Sequence, residues 1–562
     1  MVSPVVPASG ALTPLGLDSV RLLPGFWGDR RALGQEVIIG HCLEWMEKLG
    51  WIGNFRGGPA RGREFADSEV YKLLEAMAWA SDPRFDDLAV TVVAAQESDG
   101  YLNTRWGGDR YRDLEWGHEL YCYGHLIQAG VARLRAFGED EFTEAVRRAA
   151  DHVCARFLDS DEVCGHPVVE MALVELYRAT GAERYLEMAR RFVERRGTPA
   201  LAEVEFGRAY FQDDMPVRQA TVFRGHAVRA MYLACGAVDV AVETGDTELL
   251  RAIETQWERT VARRTYLTGG MGSRHDGESF GEDFELPPDR AYSETCAAVG
   301  SVMLSHRLLL ATGDRRYAAQ AERTLYNVVA ASPALDGRSY FYTNPLHVRV
   351  PGQQPEGVSP RAQAGLRAPW FAVSCCPNNV ARTFASLPAY LATGTEDGIQ
   401  IHHPTPSVIS HDGLTLRVQT RYPWEGTVTV RVEKAPETMR RITLPVLSAE
   451  RVWRVGDVVT VEMPVEPSWV RPDPRVDAVR GCVAVTRGPL VYCAEAPGNE
   501  PALELVRVTT ASVPREHWQD GAVELDVTAT VGMRKEVNLR LVPYHRWGNR
   551  GPATMRVWIP EE

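Results

Sequence analysis

The sequence lacks the features that mark several large classes of protein. It has no long run of lysine or arginine and its formal net charge is −12, so neither nucleic acid nor an anionic membrane is expected as a partner. Residues 1–20 do not combine a charged start with an apolar block, and no apolar run of membrane-spanning length follows them. We therefore expect no signal peptide, no membrane span and a cytoplasmic protein.

The motifs of several enzyme classes are missing too. There is no glycine-rich phosphate loop, no GxSxG and no HExxH, so nucleotide-dependent chemistry and serine-hydrolase chemistry have no support. Ten cysteines over 562 residues do not make a disulfide framework, and free thiols are the default in the cytoplasm. The hydrophobic content of 45% and charged content of 24% are typical of a globular protein, here long enough for more than one core.

A weak internal repeat organises the first two thirds of the chain. The segments ATGAERY, ETGDTEL and ATGDRRY each join the end of one amphipathic helix to the start of another, as in helical hairpins stacked in series. Their glycines suit the left-handed position that ends a helix, and two aspartates suit the start of the next helix. These residues are Gly181, Gly245, Gly313, Asp246 and Asp314.

Between these glycines and aspartates, segments whose apolar residues recur with the period of a helix predict about twelve helices. Six pairs can close a ring, the (α/α)6 barrel, whereas an open superhelix of hairpins is the alternative. The predicted segments are 34–50, 69–81, 84–96, 118–137, 140–157, 167–180, 182–197, 226–244, 246–264, 292–312, 314–331 and 378–392.

The pattern changes near residue 396. From there, segments such as LTLRVQTRYPW and GTVTVRVEK alternate polar and apolar residues and are rich in valine and threonine, which is typical of antiparallel sheets. We therefore predict a multidomain α+β protein. An (α/α)6-barrel catalytic domain over residues 1–395, whose first residues could instead join the sheets, precedes a β-sandwich over 396–475 and a second small β-sandwich over 476–562.

The longest polar segment runs from Thr268 to Cys296 and connects two predicted helices. Long connections inside a compact domain are usually functional or disordered, and this one keeps aromatic residues and leads directly into a helix, which favours a function. It contains Glu278 and ends on Glu294-Thr-Cys296. Residues two positions apart do not share a helix face, so Glu294 and Cys296 can reach one metal ion only where a loop enters a helix.

The stretch SCCPNN, from Ser374 to Asn379, places two cysteines side by side. A disulfide between neighbours is strained, so the pair indicates metal ligands or a reactive thiolate. Added to Glu294 and Cys296, it completes a set of four ligands, and thiolate-rich tetrahedral sites prefer zinc. The alternative is that Cys296 is a small buried hydrophobic residue and Glu294 a solvated carboxylate at a helix start.

Four histidines are candidates for a shared cavity. Gly-His occurs near a predicted helix start at His166 and again at His226, and equivalent positions of a repeated barrel lie around one mouth. A single histidine at a helix start is more often a capping or packing residue, but the repetition favours a site. The other two histidines, in WGHELYCYGH, are His118 and His125.

The segment SYFYTNPL lies before the two cysteines in the chain. Either Tyr340 or Tyr342 could bring a phenol into the cavity. Core aromatics at a strand-like turn would have the same pattern, so the residues alone do not decide between these interpretations.

Taken in order, these segments resemble those of glycoside hydrolase family 127, the β-L-arabinofuranosidases. The matching motifs are HELYCYGH, GHAVRAMYL, TGGMGSRHDGESFGEDFELPPDRAYSETC, FYTNPL and SCCPNNVARTF. The resemblance covers nearly the whole chain, and the CC and Glu-x-Cys motifs together are highly specific. It implies an (α/α)6 barrel followed by β-sandwich domains, in agreement with the pattern of helices and strands.

The resemblance also implies a reaction and the residues that perform it. The expected enzyme is a retaining exo-glycosidase that releases β-linked L-arabinofuranose, with zinc as its cofactor. Cys375 would be the nucleophile and Glu278 the general acid/base. The zinc ligands would be Glu294, Cys296, Cys375 and Cys376, and the sugar contacts His118, His166, His226 and Tyr342, with His125 as a neighbour of that set.

The sequence departs from the family pattern at Asn378, where many relatives carry a second proline after CCP. The expected partner is a small oligosaccharide or glycoside, and whether the chain forms a homodimer stays open, as does the preferred L-sugar. Two other hypotheses remain at this point. One is a metal-independent (α/α)6-barrel sugar epimerase or uronide hydrolase, and the other is a carbohydrate-binding protein without turnover.

Overall fold

A computed structural model describes residues 1–353, 357–498, 500–532 and 535–562 of the protein. Within these ranges, helices dominate up to Tyr390 and strands dominate from Ala392 onward. The predicted succession of a helical part and a sheet-rich C-terminal part is confirmed.

Every segment predicted as a helix contains one. The first helix begins at Phe26 rather than at residue 34, and it continues through a π-helical turn into the next helix. The last begins at Cys375 rather than at residue 378, since a proline is tolerated in a first turn, where its missing N–H would have no intrahelical partner. The α-helices are α1 (Phe26–Leu33), α2 (Ile39–Lys48), α3 (Ala66–Ala80), α4 (Phe85–Val93), α5 (Glu119–Phe137), α6 (Glu141–Phe157), α7 (Val169–Thr180), α8 (Glu183–Arg195), α9 (Ala227–Thr244), α10 (Thr247–Arg263), α11 (Thr295–Thr312), α12 (Arg315–Thr324) and α13 (Cys375–Ser386).

The helix ends follow the repeated sequence signals. Gly181, Gly245 and Gly313 end α7, α9 and α11 with φ values of 71°, 70° and 74°, the left-handed conformation that glycine adopts without steric cost. Asp246 and Asp314 precede α10 and α12, and their carboxylates accept backbone N–H groups of the first turn. Both sets of predictions are confirmed.

Alternate helices of the first part form a closed ring. Each of α3, α5, α7, α9, α11 and α13 packs against the next, and α13 packs against α3. Helices α6, α8, α10 and α12 lie outside, each against the ring helix that precedes it in the chain. The hairpins predicted from the repeat are therefore present, and their first members line the centre of the protein.

The sheet-rich part consists of mainly antiparallel sheets. In the part of the chain that the structure describes, two sheets have five strands each, in the orders β1-β4-β5-β9-β10 and β11-β8-β7-β6-β2. The third sheet has the order β12-β13-β14-β18-β17-β15 and is joined by β3, β16, β19 and β20. The strands are β1 (Thr13–Pro14), β2 (Val20–Leu22), β3 (His347–Val348), β4 (Ala392–Thr395), β5 (Gly398–Ile401), β6 (Ser407–His411), β7 (Leu414–Thr420), β8 (Thr427–Lys434), β9 (Met439–Leu444), β10 (Leu447–Val452), β11 (Val458–Glu462), β12 (Pro467–Val470), β13 (Cys482–Arg487), β14 (Leu490–Pro497), β15 (Val506–Val508), β16 (Arg515–Gln519), β17 (Ala522–Val531), β18 (Lys535–Pro543), β19 (Ala553–Arg556) and β20 (Ile559–Pro560).

Strands from the start of the chain and buried polar contacts connect the sheets to the helical ring. Strands β1 and β2, from the first residues of the chain, pair with β4 and β6. The buried side chain of Asn327 accepts the N–H of Val491 at 2.7 Å and donates to the carbonyl of Pro489 at 2.8 Å. The Tyr544 hydroxyl donates to the carbonyl of Pro345 at 2.8 Å. The third sheet thereby supports the segment that follows Tyr342.

Helix α11 is largely apolar and is buried over most of its length. It is long and apolar enough to cross a membrane by length and composition, but 89% of it is buried inside the protein. A buried core helix passes the same test, and α11 packs against α9, α12 and α13.

Candidate active site

A cavity of about 260 Å³ opens at one end of the helical ring. Its lining includes a residue at or just before the start of each ring helix. Because the N-terminal end of a helix carries partial positive charge, the convergence of these ends favours negatively charged groups in the cavity. The residues, in the order α3 to α13, are Phe65, His118, His166, His226, Glu294 and Cys375.

Two distant segments meet at the starts of α11 and α13. Glu294 directly precedes α11, and Cys375 and Cys376 open α13. The segment around Tyr342 lies between them: its carbonyl accepts the N–H of Thr295 at 3.1 Å. The polar loop ends at Glu294, which forms an isolated β-bridge with Thr343, and α11 begins at the next residue. This change from extended to helical backbone lets the side chains of Glu294 and Cys296 point to one place.

The four predicted ligands form one buried cluster. Their donor atoms all lie within 4.8 Å of one another. The Sγ atoms of Cys296 and Cys376 are 3.6 Å apart, and those of Cys375 and Cys376 are 3.9 Å apart. Cys375 Sγ lies 3.4 Å from Glu294 Oε1. The alternative of a solvated Glu294 is wrong, because its side chain is buried.

The cluster fits a tetrahedral metal ion. Bonds of about 2.3 Å to sulfur and about 2.1 Å to oxygen place the ligand atoms of a tetrahedron roughly 3.6–3.8 Å apart, close to the 3.4, 3.6 and 3.9 Å that separate three pairs of these donor atoms. Glu294 Oε2 is buried and, in the part of the chain that the structure describes, has no hydrogen-bond donor. A carboxylate in such a place needs a proton or a cation, so the residues present suit a metal ion.

The environment distinguishes Cys375 from the other ligands. Burial is the main cause that raises the pKa values of Glu294, Cys296 and Cys376 well above their ordinary range. Burial would raise the pKa of Cys375 as well, but hydrogen bonds from Cys296 and Cys376 and the charge of Lys72 bring it well below the usual value. Of the four groups, Cys375 therefore has the surroundings that most favour its charged form.

Glu278 faces the same cavity from the polar loop. It lies in a short helical turn, Asp276–Glu278, with a positive φ of 54°. One carboxylate oxygen lies 3.1 Å from His226 Nε2, and the other forms an ion pair with Arg361. A carboxyl group and a thiol thus line one cavity, as acid–base and nucleophilic chemistry on one substrate would require.

Three of the predicted histidines surround the cavity as neutral rings. The ring centroids of His118 and His166 are 5.7 Å apart, and those of His166 and His226 are 5.8 Å apart. Burial, followed by the charge of Arg229, lowers the pKa of His118 to about 3 and the pKa values of His166 and His226 well below 6.5. At neutral pH each ring can donate one hydrogen bond and accept another, which suits sugar hydroxyl groups.

The structure separates the remaining predicted residues. Tyr342 lines the cavity, and its hydroxyl lies 3.4 Å from Cys375 Sγ. Tyr340 is buried elsewhere and donates its hydroxyl to the carbonyl of Gly337 at 2.8 Å. His125 lies one helical turn beyond Tyr121, with the two rings 4.6 Å apart, and is not among the residues that line the cavity.

The cavity also contains residues that no sequence motif indicates as part of a site. Trp116, Tyr210, Arg229 and Arg361 all line it. Arg229 carries a detectable signal, since it follows His226 by three residues and so shares its helix face. No pattern marks Arg361, which lies in a short 3-10 helix, Pro360–Gly365, far along the chain from its partner in the ion pair.

Comparison with known families agrees with this geometry. Residues 19–389 match the family described as "Beta-L-arabinofuranosidase, GH127 catalytic domain", and residues 467–560 match the "Glycoside hydrolase family 127 C-terminal domain". The chain belongs to glycoside hydrolase family 127. The resemblance noted in the sequence is confirmed, and this family 127 member is a glycosidase.

Individual relatives match the chain over nearly its full length. The non-reducing end β-L-arabinofuranosidase of Bifidobacterium longum subsp. longum is 32% identical over 598 aligned residues, covering 88% of this chain and 89% of the relative. A solved GH127 β-arabinofuranosidase is 31% identical with a TM-score of 0.89, covering 100% of this chain and 98% of that one. A GH127 β-L-arabinofuranosidase from Geobacillus stearothermophilus T6 is also 31% identical with a TM-score of 0.89, covering 97% and 100%.

We expect metal removal to lower the thermal stability of this family 127 enzyme. Metal that binds only the folded state stabilises it, and here it would join the starts of α11 and α13. Metal analysis should find about one ion per chain in protein purified without chelator. The variant Cys376→Ser should lose that ion, and calorimetry should show the same drop in melting temperature as chelation.

The matched control is Cys493→Ser, because Cys493 is equally buried but lies in β14, outside the cluster. It should keep its metal content. A wild-type protein with less than roughly a tenth of an ion per chain and a melting temperature insensitive to chelator would contradict the metal assignment.

Proposed function

We propose that the protein is a retaining exo-glycoside hydrolase that releases β-linked L-arabinofuranose. The observation that carries the proposal is the placement of Cys375 and Glu278 in one cavity, with the other three donors of the buried cluster beside the Cys375 thiol. The sugar is proposed from the relatives, which are β-L-arabinofuranosidases by name. A cavity of about 260 Å³ lies below the range of typical drug-sized pockets, which suits one sugar ring and therefore action at a chain end.

We extend the proposal to the architecture. The closed ring of helices supports an (α/α)6 barrel as the catalytic domain, over residues 1–395. The two five-stranded sheets support a β-sandwich over residues 396–475, to which β1, β2 and β4 contribute. The third sheet supports a second small β-sandwich over residues 476–562.

Zinc is the proposed cofactor, held by Glu294, Cys296, Cys375 and Cys376. Three thiolates and one carboxylate in tetrahedral reach are a donor set that zinc prefers among the common divalent ions. When bound there, zinc keeps its thiol ligands deprotonated at neutral pH and lowers the cost of charge on sulfur. The remaining chemistry is assigned to side chains of the chain itself.

In the first step Cys375 attacks the anomeric carbon. A carbon–sulfur bond forms as the glycosidic carbon–oxygen bond breaks, and Glu278 gives its proton to the departing oxygen. Glu278 must be protonated for this step, whereas an ion pair with Arg361 favours the ionised carboxylate. Substrate binding is therefore expected to loosen the contact between Arg361 and Glu278.

In the second step water replaces the sulfur. Glu278 takes a proton from the water, the oxygen bonds to the anomeric carbon, and the electron pair of the carbon–sulfur bond returns to Cys375 Sγ. Two displacements at one carbon restore the starting configuration, as a retaining glycosidase requires.

The sugar hydroxyl groups are assigned to neutral side chains around the cavity. His118, His166 and His226 offer both donors and acceptors, and Tyr342 offers a phenol beside the nucleophile. His125 is proposed to act indirectly, by packing behind Tyr121.

A panel of p-nitrophenyl glycosides tests the function. Turnover should be fastest on the β-L-arabinofuranoside compared with the α-L-furanoside and the L-arabinopyranosides, because the cavity contacts depend on ring size and configuration. Nuclear magnetic resonance of the first product should detect the β-anomer. Fastest turnover on another sugar, or an α-anomer formed first, would contradict the proposal.

The variant Glu278→Gln tests the acid/base assignment. It should fold and bind metal as the wild type does but lose roughly a hundred- to ten-thousand-fold in kcat on an alkyl glycoside, since general acid–base catalysis contributes that much. The loss in the first step should be smaller for a nitrophenyl leaving group, which needs less protonation. Glu282→Gln is the matched control, because Glu282 lies in the same loop with an exposed side chain; equal losses in both variants would rule out a special role for Glu278.

A further inference from the structure

A buried ion pair lies beneath the cysteines of α13. Lys72 Nζ is 2.7 Å from Glu69 Oε1, one turn apart on α3, and both side chains have no exposed surface. Burying two charges costs more than burying apolar side chains of the same size, unless geometry and further hydrogen bonds compensate. Most of the neighbouring positions of α3 are apolar, so packing alone does not account for the pair.

The ion pair is connected to the first turn of α13. The second oxygen of Glu69 accepts a hydrogen bond from Asn378 Nδ2 at 2.9 Å. Asn378 follows Cys375 by three residues, so the two side chains share one face of the helix. Helix α3 packs directly against α13, and this bond fixes the rotation of the turn that carries the nucleophile.

The charge of Lys72 also reaches the cavity. Its Nζ lies 5.3 Å from the ring centroid of Tyr121, which lines the cavity. Burial alone would lower the pKa of Lys72, but the attraction of Glu69, Tyr121 and Cys375 raises it well above 10.5, so the ammonium group stays charged. A buried charge acts over longer distances than a solvated one, because little water screens it.

We propose that Lys72 is a positioning residue for the second displacement, held by Glu69, which also orients Cys375 through Asn378. The inference rests on the proposed function, since it assumes a sugar bonded to Cys375. In this arrangement the fixed positive charge stabilises the negative charge that returns to Cys375 Sγ as the carbon–sulfur bond breaks.

The two steps should respond differently to this charge. In the first step the thiolate loses its negative charge as it bonds to carbon, so a nearby cation gives the transition state no advantage over the starting thiolate. The proposed zinc would keep that thiol deprotonated when Lys72 is removed. In the second step the same charge reappears on sulfur, so the cation stabilises the transition state. Removal of Lys72 should therefore slow the release of the sugar and leave its attachment nearly unchanged.

The double variant Glu69→Gln/Lys72→Met tests this difference. It removes both charges, while the amide oxygen of the introduced glutamine still offers an acceptor to Asn378. On p-nitrophenyl β-L-arabinofuranoside, kcat and KM should both fall about tenfold or more while kcat/KM changes by less than about threefold, because the bonded sugar accumulates. Rapid mixing should resolve a burst of roughly one nitrophenol per enzyme, larger than in the wild type.

Arg307→Met is the matched control. Arg307 is another buried cation of the ring, bonded to Asp239 at 2.7 Å, and Asp239 keeps its contact with Arg178 when Arg307 is replaced. It lies eleven residues after Cys296 on α11, at the far end from the cavity. This variant should lower the melting temperature without a parallel fall in kcat and KM.

If the double variant gives no cooperative unfolding transition, Lys72→Gln, which keeps a neutral donor near Glu69, takes its place.

The outcomes separate this inference from the proposed function. No hydrolysis by the wild type would refute the function itself. An active wild type whose double variant keeps both kcat and KM, or loses kcat/KM by more than tenfold without a burst, would refute the role of Lys72 while leaving the function intact. A parallel fall of kcat and KM in Arg307→Met would also refute it, since any buried cation would then have the same effect.

Discussion

Three thiols and a carboxylate that lie within 4.8 Å of one another in a buried cluster cannot all be charged without positive charge close by. The rest of the helical domain is arranged around this constraint. The starts of all the ring helices converge on the cavity, which gives the region partial positive charge. Lys72 adds a full charge, and the geometry of the cluster suits a metal ion. Each contribution lowers the cost of keeping sulfur as thiolate.

The sheets contribute by fixing the segments that close the site. Thr295 at the start of α11 is held by backbone atoms of Phe341 and Tyr342, and the third sheet holds the following residues through β3 and Tyr544. A thiolate cluster assembled from two loops would tolerate little movement, because a displacement of about 1 Å breaks a metal–ligand bond. The C-terminal sheets thus stabilise the site, and none of their residues that the structure describes lines the cavity.

Much of this organisation could be predicted because it is encoded locally. The glycines and aspartates that end and begin helices act within one turn, so Gly245 and Asp246 identify a helix junction without knowledge of the fold. The four ligands could also be proposed, since thiols and carboxylates at unusual spacings have few other uses.

Lys72 and Arg361 could not be found in this way. Their roles depend on which helix or loop lies opposite, and a lysine in an amphipathic pattern normally indicates an exposed face. Helix α13 begins three residues before the predicted segment 378–392, because Pro377 is accommodated in the first turn that Cys375 opens.

The central claim is that Cys375, and not a carboxylate, becomes bonded to the sugar. An electrophile with the L-arabinofuranose configuration, incubated with the metal-loaded enzyme and followed by proteolysis and mass spectrometry, tests this directly. We expect one label per chain, on Cys375, and protection by free L-arabinose. A label on Glu278, Glu294 or Cys376 under the same conditions would contradict it.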